Sequence, residues 1–115
     1  MGTLTVISWR DIPAQVIAKR GRDTFKVQLT PRFQEAIDRA AMRAGKGSSD
    51  AYLADWRRTP RACTDDLRAE ANAEAARLEV RYTHEDLERM IRAKGIDAQS
   101  AHSQATDSAP GPEAP

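Results

Sequence analysis

The run Ser8-Trp9-Arg10-Asp11-Ile12-Pro13-Ala14-Gln15-Val16 sets an indole, a guanidinium, a carboxylate and an amide within a few residues of one another. It reads as the end of a strand and the turn after it, where folds commonly expose binding groups. Tryptophan and arginine are enriched at interface hot spots, so Trp9, Arg10, Asp11, Pro13 and Gln15 are candidates for contact with a partner or ligand. A plainer reading stands beside that one. Trp9 then belongs to the core, Arg10 and Asp11 form a surface pair worth under about 1 kcal/mol, and Pro13 only shapes the turn. Arg10, Arg20, Arg39 and Arg43 suggest a second chemistry, since guanidinium forks hold phosphate or carboxylate groups when they converge on one concavity. Lys19, Arg20, Arg22 and Lys26 equally suit a solvated hairpin edge that resists strand-to-strand aggregation.

Other reactive residue types lack partners. His84 and Glu88 share a helix face at i and i+4, but a zinc site needs further ligands, and Cys63 and His102 are poorly placed to supply them. No pattern sets a histidine beside Cys63 as a base. Asp65 and Asp66 read as charges at a helix start. Gly45-Lys46-Gly47 follows a helix and lacks the spacing of a phosphate loop. The residues therefore point to a non-catalytic domain with no cofactor and no metal.

The elements that must position these groups are legible from periodicity. Thr3 to Trp9 is dense in β-branched and aromatic residues, apolar on both faces, as in a central strand. Pro13 interrupts the extended run, and a second strand spans Ala14 to Lys19. Gly21 suits a hairpin turn before a third strand, Thr24 to Leu29, with Phe25, Val27 and Leu29 facing inward. Thr30-Pro31 marks a helix start. Phe33, Ala36, Ile37, Ala40 and Ala41 form its stripe to about Ala44, expected to cover the sheet, with Gly45 and Gly47 ending it. A short helix capped by Ser48 or Ser49 follows over Asp50 to Arg57, with Trp56 expected as a core anchor. A third helix opens at Thr64-Asp65-Asp66 with a thin seam of Leu67, Ala71, Ala75, Leu78 and Tyr82, expected to pack loosely. Thr83 caps a fourth, with Leu87, Met90 and Ile91 as its stripe and Gly95 as its stop. The expectation is an α+β domain over residues 1–97, a three-stranded antiparallel meander followed by about four helices on one face, and a disordered tail over 98–115.

Composition narrows the function classes. A net charge of +1 gives no long-range pull toward nucleic acid or an anionic membrane. The basic hairpin also lacks interleaved exposed aromatics, which argues against nucleic-acid binding. No stretch approaches the roughly 20 apolar residues of a bilayer span. One cysteine, and an N-terminus without the pattern of a signal peptide, lead to the expectation of a cytoplasmic protein without membrane contact.

The stretch ISWRDIPAQVIAKRGRDTFKVQLTPRFQEAIDRAAMRAG, with DAYLADWRR after it, resembles a small bacterial domain family labelled "virulence factor". The likeness runs from about Thr3 to Ile96, and SWRDIPAQV is its most specific part. The label describes a phenotype of some members and no chemistry. Its pattern falls on Trp9, Arg10, Asp11, Pro13, Gln15 and Arg20, then on Arg39, Arg43, Trp56, Arg57 and Arg58, none with an implied catalytic role. The resemblance implies an accessory domain that docks methylenetetrahydrofolate reductase-like or corrinoid methyltransferase proteins of one-carbon metabolism. Binding of an anionic small molecule is the alternative, and nucleic-acid binding ranks third.

Overall fold

Alternation from Gly2 to Trp9 produces strand β1 (Gly2–Trp9), which pairs antiparallel with β2 (Ile12–Arg20), itself paired with β3 (Asp23–Gln28). The computed structural model describes residues 1–46 and 49–97. The tail expected over 98–115, the helix stop at Gly47 and a cap at Ser48 lie outside what it describes. Gly21 takes a φ of +58° in the β2–β3 turn, and Arg20 pairs with Asp23 across it. Pro13 is tolerated inside β2 because the ladder is irregular there. Ile7 pairs with Gln15 and Ser8 with Pro13, so Ala14 is left over, and its carbonyl accepts the Leu29 N–H at 3.0 Å.

The α+β class is as expected, with one more strand. After the short helix α2 (Ser49–Ala54), which follows α1 (Pro31–Arg43), the chain forms β4 (Trp56–Cys63), antiparallel to β1. The sheet order is β3-β2-β1-β4. The expected helix over Asp50–Arg57 is therefore too long, and its end with the residues after it forms an edge strand. Extended pairing to β1 along Gly2–Trp9 overrides local propensity, and Pro60 suits an edge. This strand also accounts for the two-faced apolar pattern of β1, which lies inside the sheet between β2 and β4.

The helices divide the sheet differently from expectation. α3 (Leu67–Arg81) crosses β1, β2 and β3, whereas α1 packs chiefly on α4 (His84–Arg92) and touches β2. Leu4, Val16 and Ala18 are fully buried, with Val6, Phe25 and Val27 against the same core. Ala71 is fully buried as well, so the alanine-rich seam of α3 lets its backbone approach the sheet closely instead of detaching. Trp9, Phe33, Ile37 and Met90 fill the rest of the core; Trp56, the expected anchor, is half-buried. Thr30 stands at the N-cap of α1 but makes no side-chain cap. It donates instead to Glu79 of α3, from its N–H at 2.7 Å and its hydroxyl at 2.9 Å, and Arg32 joins the same carboxylate at 3.1 Å. Partial desolvation would raise the Glu79 carboxyl, but these hydrogen bonds outweigh it and hold the group below its ordinary range.

Candidate functional site

Two residues, Arg10 and Asp11, join β1 to β2, with Trp9 paired to Ile12 across the turn. Arg10 has a φ of +53°, a region that non-glycine residues seldom occupy and that costs about 1–2 kcal/mol. Its surroundings over-determine it. The backbone N–H donates to Asp55 O at 3.0 Å, Nε donates to Asp55 Oδ2 at 3.3 Å, and Nη1 donates to the Lys94 carbonyl at 2.8 Å. The guanidinium also lies 4.9 Å from the Trp9 ring centroid. Asp11 is held as firmly: its N–H donates to Gly95 O at 2.9 Å, Oδ2 accepts the Asp97 N–H at 2.7 Å, and Oδ1 faces Arg57 Nη1 at 3.3 Å.

The display expected of this turn is thereby corrected. Trp9 is 0% exposed, its Nε1–H donates to the Tyr52 carbonyl at 2.8 Å, and its ring stacks on Tyr52 at 6.0 Å and meets Gly95. Pro13 is buried too. Neither presents a contact surface in this fold, and the loop after α4 and the end of α2 close over Trp9. Gln15 is half-buried and lies elsewhere, on the sheet face opposite α3.

The four arginines weighed as an anion cluster do not meet. Arg20 pairs with Asp65 at 3.4 Å beside the hairpin, while Arg39 pairs with Glu88 at 2.8 Å. Arg39 and Arg43 line a shallow concavity of about 520 Å³ with Asp38, Met42 and Ile91, which Arg10 does not share. Glu88 is lowered by the Arg39 hydrogen bond, and His84 stands 3.9 Å from it. Burial pushes the Cys63 thiol up, and the Glu70 and Asp65 charges push it further, which keeps it a poor nucleophile.

Arg10 does meet Arg57. Both line a concavity of about 340 Å³ with Val6, Ser8, Asp11, Thr59 and Tyr82, between β1, β4 and the end of α3. Ser8, Thr59 and Tyr82 had no place among the sequence candidates. Only the pairing of β4 to β1, with Ser8 opposite Arg57 and Val6 opposite Thr59, sets them together.

The other face of the sheet offers a second surface. By register, Lys26, Ile17, Thr5 and Pro60 form one row across it, and Gln28, Gln15, Ile7 and Arg58 the next. A third row holds Thr24, Lys19, Thr3 and Ala62. No carboxylate falls in any row. Ile7 and Ile17 lie outside the core cluster, Ile17 half-buried and Ile7 8% exposed. Lys19, Lys26 and Arg58 are exposed and have no ion-pair partner among the described residues.

Among the described residues no helix is long and apolar enough to cross a membrane. A family model described as "Virulence factor" matches residues 7–91. No curated protein and no solved structure matches the chain.

Proposed function

The chain belongs to the Virulence factor family, and we propose that it is a non-catalytic docking domain that binds an acidic partner protein through the sheet face opposite α3. The observation that carries this reading is the acid-free character of that face, with Lys19, Lys26 and Arg58 unpaired among the described residues. Lys26 on β3 and Arg58 on β4 stand on the two outer strands, about 14 Å apart at ordinary strand spacing. Ile17 neighbours Lys26, and Ile7 neighbours Arg58. A helix about 10–12 Å across fits between such cationic rims, its apolar side on Ile17, since Ile7 is only 8% exposed, and its carboxylates toward the cations.

Nucleic acid is the poorer occupant, because none of the three rows carries an aromatic ring on which a base could stack. We extend the proposal to the bacterial cytoplasm and to methylenetetrahydrofolate reductase-like or corrinoid methyltransferase proteins as the partner class. Its support is the resemblance of the SWRDIPAQV run alone.

The test is affinity capture from the native host with the full chain and with a Lys26→Glu/Arg58→Glu double variant. Loss of one acidic protein from the variant's capture, with the variant still folded, supports the reading. Identical captures refute it, and a one-carbon enzyme among the lost proteins identifies the partner class.

A further inference from the structure

We infer that the concavity between β1, β4 and the end of α3 binds a small metabolite through an oxyanionic group, phosphate or carboxylate, held by Arg57 and Arg10, with Ser8, Thr59 and Tyr82 bonding its remaining polar atoms. The site is distinct from the proposed docking face: Arg57 and Thr59 of β4 share the α3 side of the sheet, whereas Arg58 and Pro60 share the other. At about 340 Å³ the concavity lies in the range of small-molecule pockets.

Charge and hydrogen bonding select an anion. Asp11 is the one carboxylate in the lining, and both its oxygens are engaged, by the Asp97 N–H and by Arg57. A ligand anion can therefore draw Arg57 away without leaving Asp11 bare, since the 2.7 Å bond from Asp97 remains. Arg57 is suited to such exchange, its side chain 54% exposed and its pairing with Asp11 no closer than 3.3 Å.

Arg10 supplies the fixed half of the site. Nε donates to Asp55 Oδ2 and Nη1 to the Lys94 carbonyl, while Nη2 stands 3.3 Å from the same Oδ2 as an ion pair, so two of the five N–H groups are hydrogen-bonded. The rest remain for a ligand, on a guanidinium already oriented by the buried indole of Trp9. Ordering Arg10 in advance lowers the entropic cost of binding. Its positive φ fits the same purpose, because strained backbone persists where a side chain must be aimed.

The experiment is a titration of the full-length protein, followed by amide and arginine Nε–H signals in nitrogen-15 NMR. The probes are inorganic phosphate, glycerol 3-phosphate and malate at up to about 10 mM, enough to saturate a millimolar site, each against sodium chloride of matched ionic strength. Saturable shifts at Ser8, Arg10 and Thr59 are expected. Arg57→Ala should weaken them about tenfold, the loss of one charge-assisted contact, and Thr59→Val severalfold with melting unchanged. A tighter response to the phosphates marks a phosphoryl ligand, and a tighter response to malate marks a carboxylate. Shifts that sodium chloride reproduces, shifts that survive Arg57→Ala unaltered, or no saturable shift with any probe would each overturn the inference.

Discussion

A Cβ built on Gly95 would stand 2.8 Å from Cζ3 and 3.1 Å from Cε3 of Trp9, so the loop after α4 closes over the indole with no room for a side chain. Gly95 also holds a φ of +92°, and the two constraints have separate costs. Gly95→Ala is expected to lose about 1–2 kcal/mol for the left-handed backbone and about 1–3 kcal/mol for overpacking against a ring that cannot move. For a domain near 100 residues that lowers Tm by roughly 10–40 °C. Gly21→Ala is the control, since Gly21 has a φ of +58° but nothing within 4 Å of its Cβ. Equal losses in the two variants, measured by thermal and urea unfolding, would show that the Trp9 contact carries no weight.

Asp11 joins the same closure by a different bond. Its Oδ2 accepts from the N–H of Asp97, a residue 2% exposed, whereas its Oδ1 meets only the exposed Arg57. Asp11→Ala is expected to cost about 1–3 kcal/mol, because a buried donor loses its acceptor. Asp11→Asn keeps an acceptor and should cost less. Arg57→Ala removes a screened pair and should stay within about 1 kcal/mol. Urea unfolding of the three variants checks the order, and an Arg57→Ala loss as large as that of Asp11→Ala would contradict it. Alanine at Arg10 or Asp11 thus disturbs stability as well as any binding.

The β1–β2–β3 meander was legible because alternation and Gly21 agree locally, and α4 because Thr83, Asp86 and Gly95 mark both its ends. β4 was not. Trp56 to Cys63 carries three arginines and a proline, and nothing in that run shows that β1 needs a second neighbour except the apolar pattern of β1 itself. Missing β4 hid the meeting of Arg10 with Arg57, and it hid Arg58 as the counterpart of Lys26. The turn at Arg10 and Asp11 was correctly placed, but its burial depends on Tyr52, Asp55 and Gly95, whose contacts with Trp9, Arg10 and Asp11 span 43 to 84 residues of chain and leave no local trace. Likewise the choice of α3 over α1 as the helix across the sheet rests on close backbone approach at Ala71, where hydrophobic patterning favours the larger side chains of α1.

Acid should loosen the start of α4. Thr83 and Asp86 form a reciprocal capping box, the Asp86 side chain accepting the Thr83 N–H at 2.9 Å and the Thr83 hydroxyl accepting the Asp86 N–H at 3.1 Å. The Thr83 N–H, followed by Arg89 and the Thr83 hydroxyl, lowers the Asp86 carboxyl from 3.8 to about 2. A depressed folded-state value means that the unfolded chain binds the proton more readily between those limits. The stabilisation is therefore complete above about pH 4 and disappears as pH falls toward 2. Urea midpoints taken at pH 5, 3 and 2 should fall in that order, and Asp86→Asn should flatten part of the decline. An unchanged slope in Asp86→Asn would remove the box from the account.

Charge reversal on the open sheet face separates docking from folding. Lys26 and Arg58 are exposed and have no ion-pair partner among the described residues, so Lys26→Glu and Arg58→Glu should each change stability by no more than about 0.5 kcal/mol. Association with an acidic partner should respond far more, because rim charges steer encounter and like charges across an interface repel. The double variant is expected to bind at least about tenfold more weakly, a 1.4 kcal/mol change. Part of the wild-type affinity should also fall away as salt shortens the screening length from about 10 Å at 0.1 M to about 3 Å at 1 M. Arg43→Glu is the decisive control, since it reverses an equally exposed cation on α1, away from the sheet rows. Titration calorimetry of the captured partner against all the variants locates the surface: a loss confined to Lys26 and Arg58 places it on the strands. An equal loss in Arg43→Glu would mean that net charge alone governs binding and that the register of Ile7 and Ile17 between their cations has no part in it.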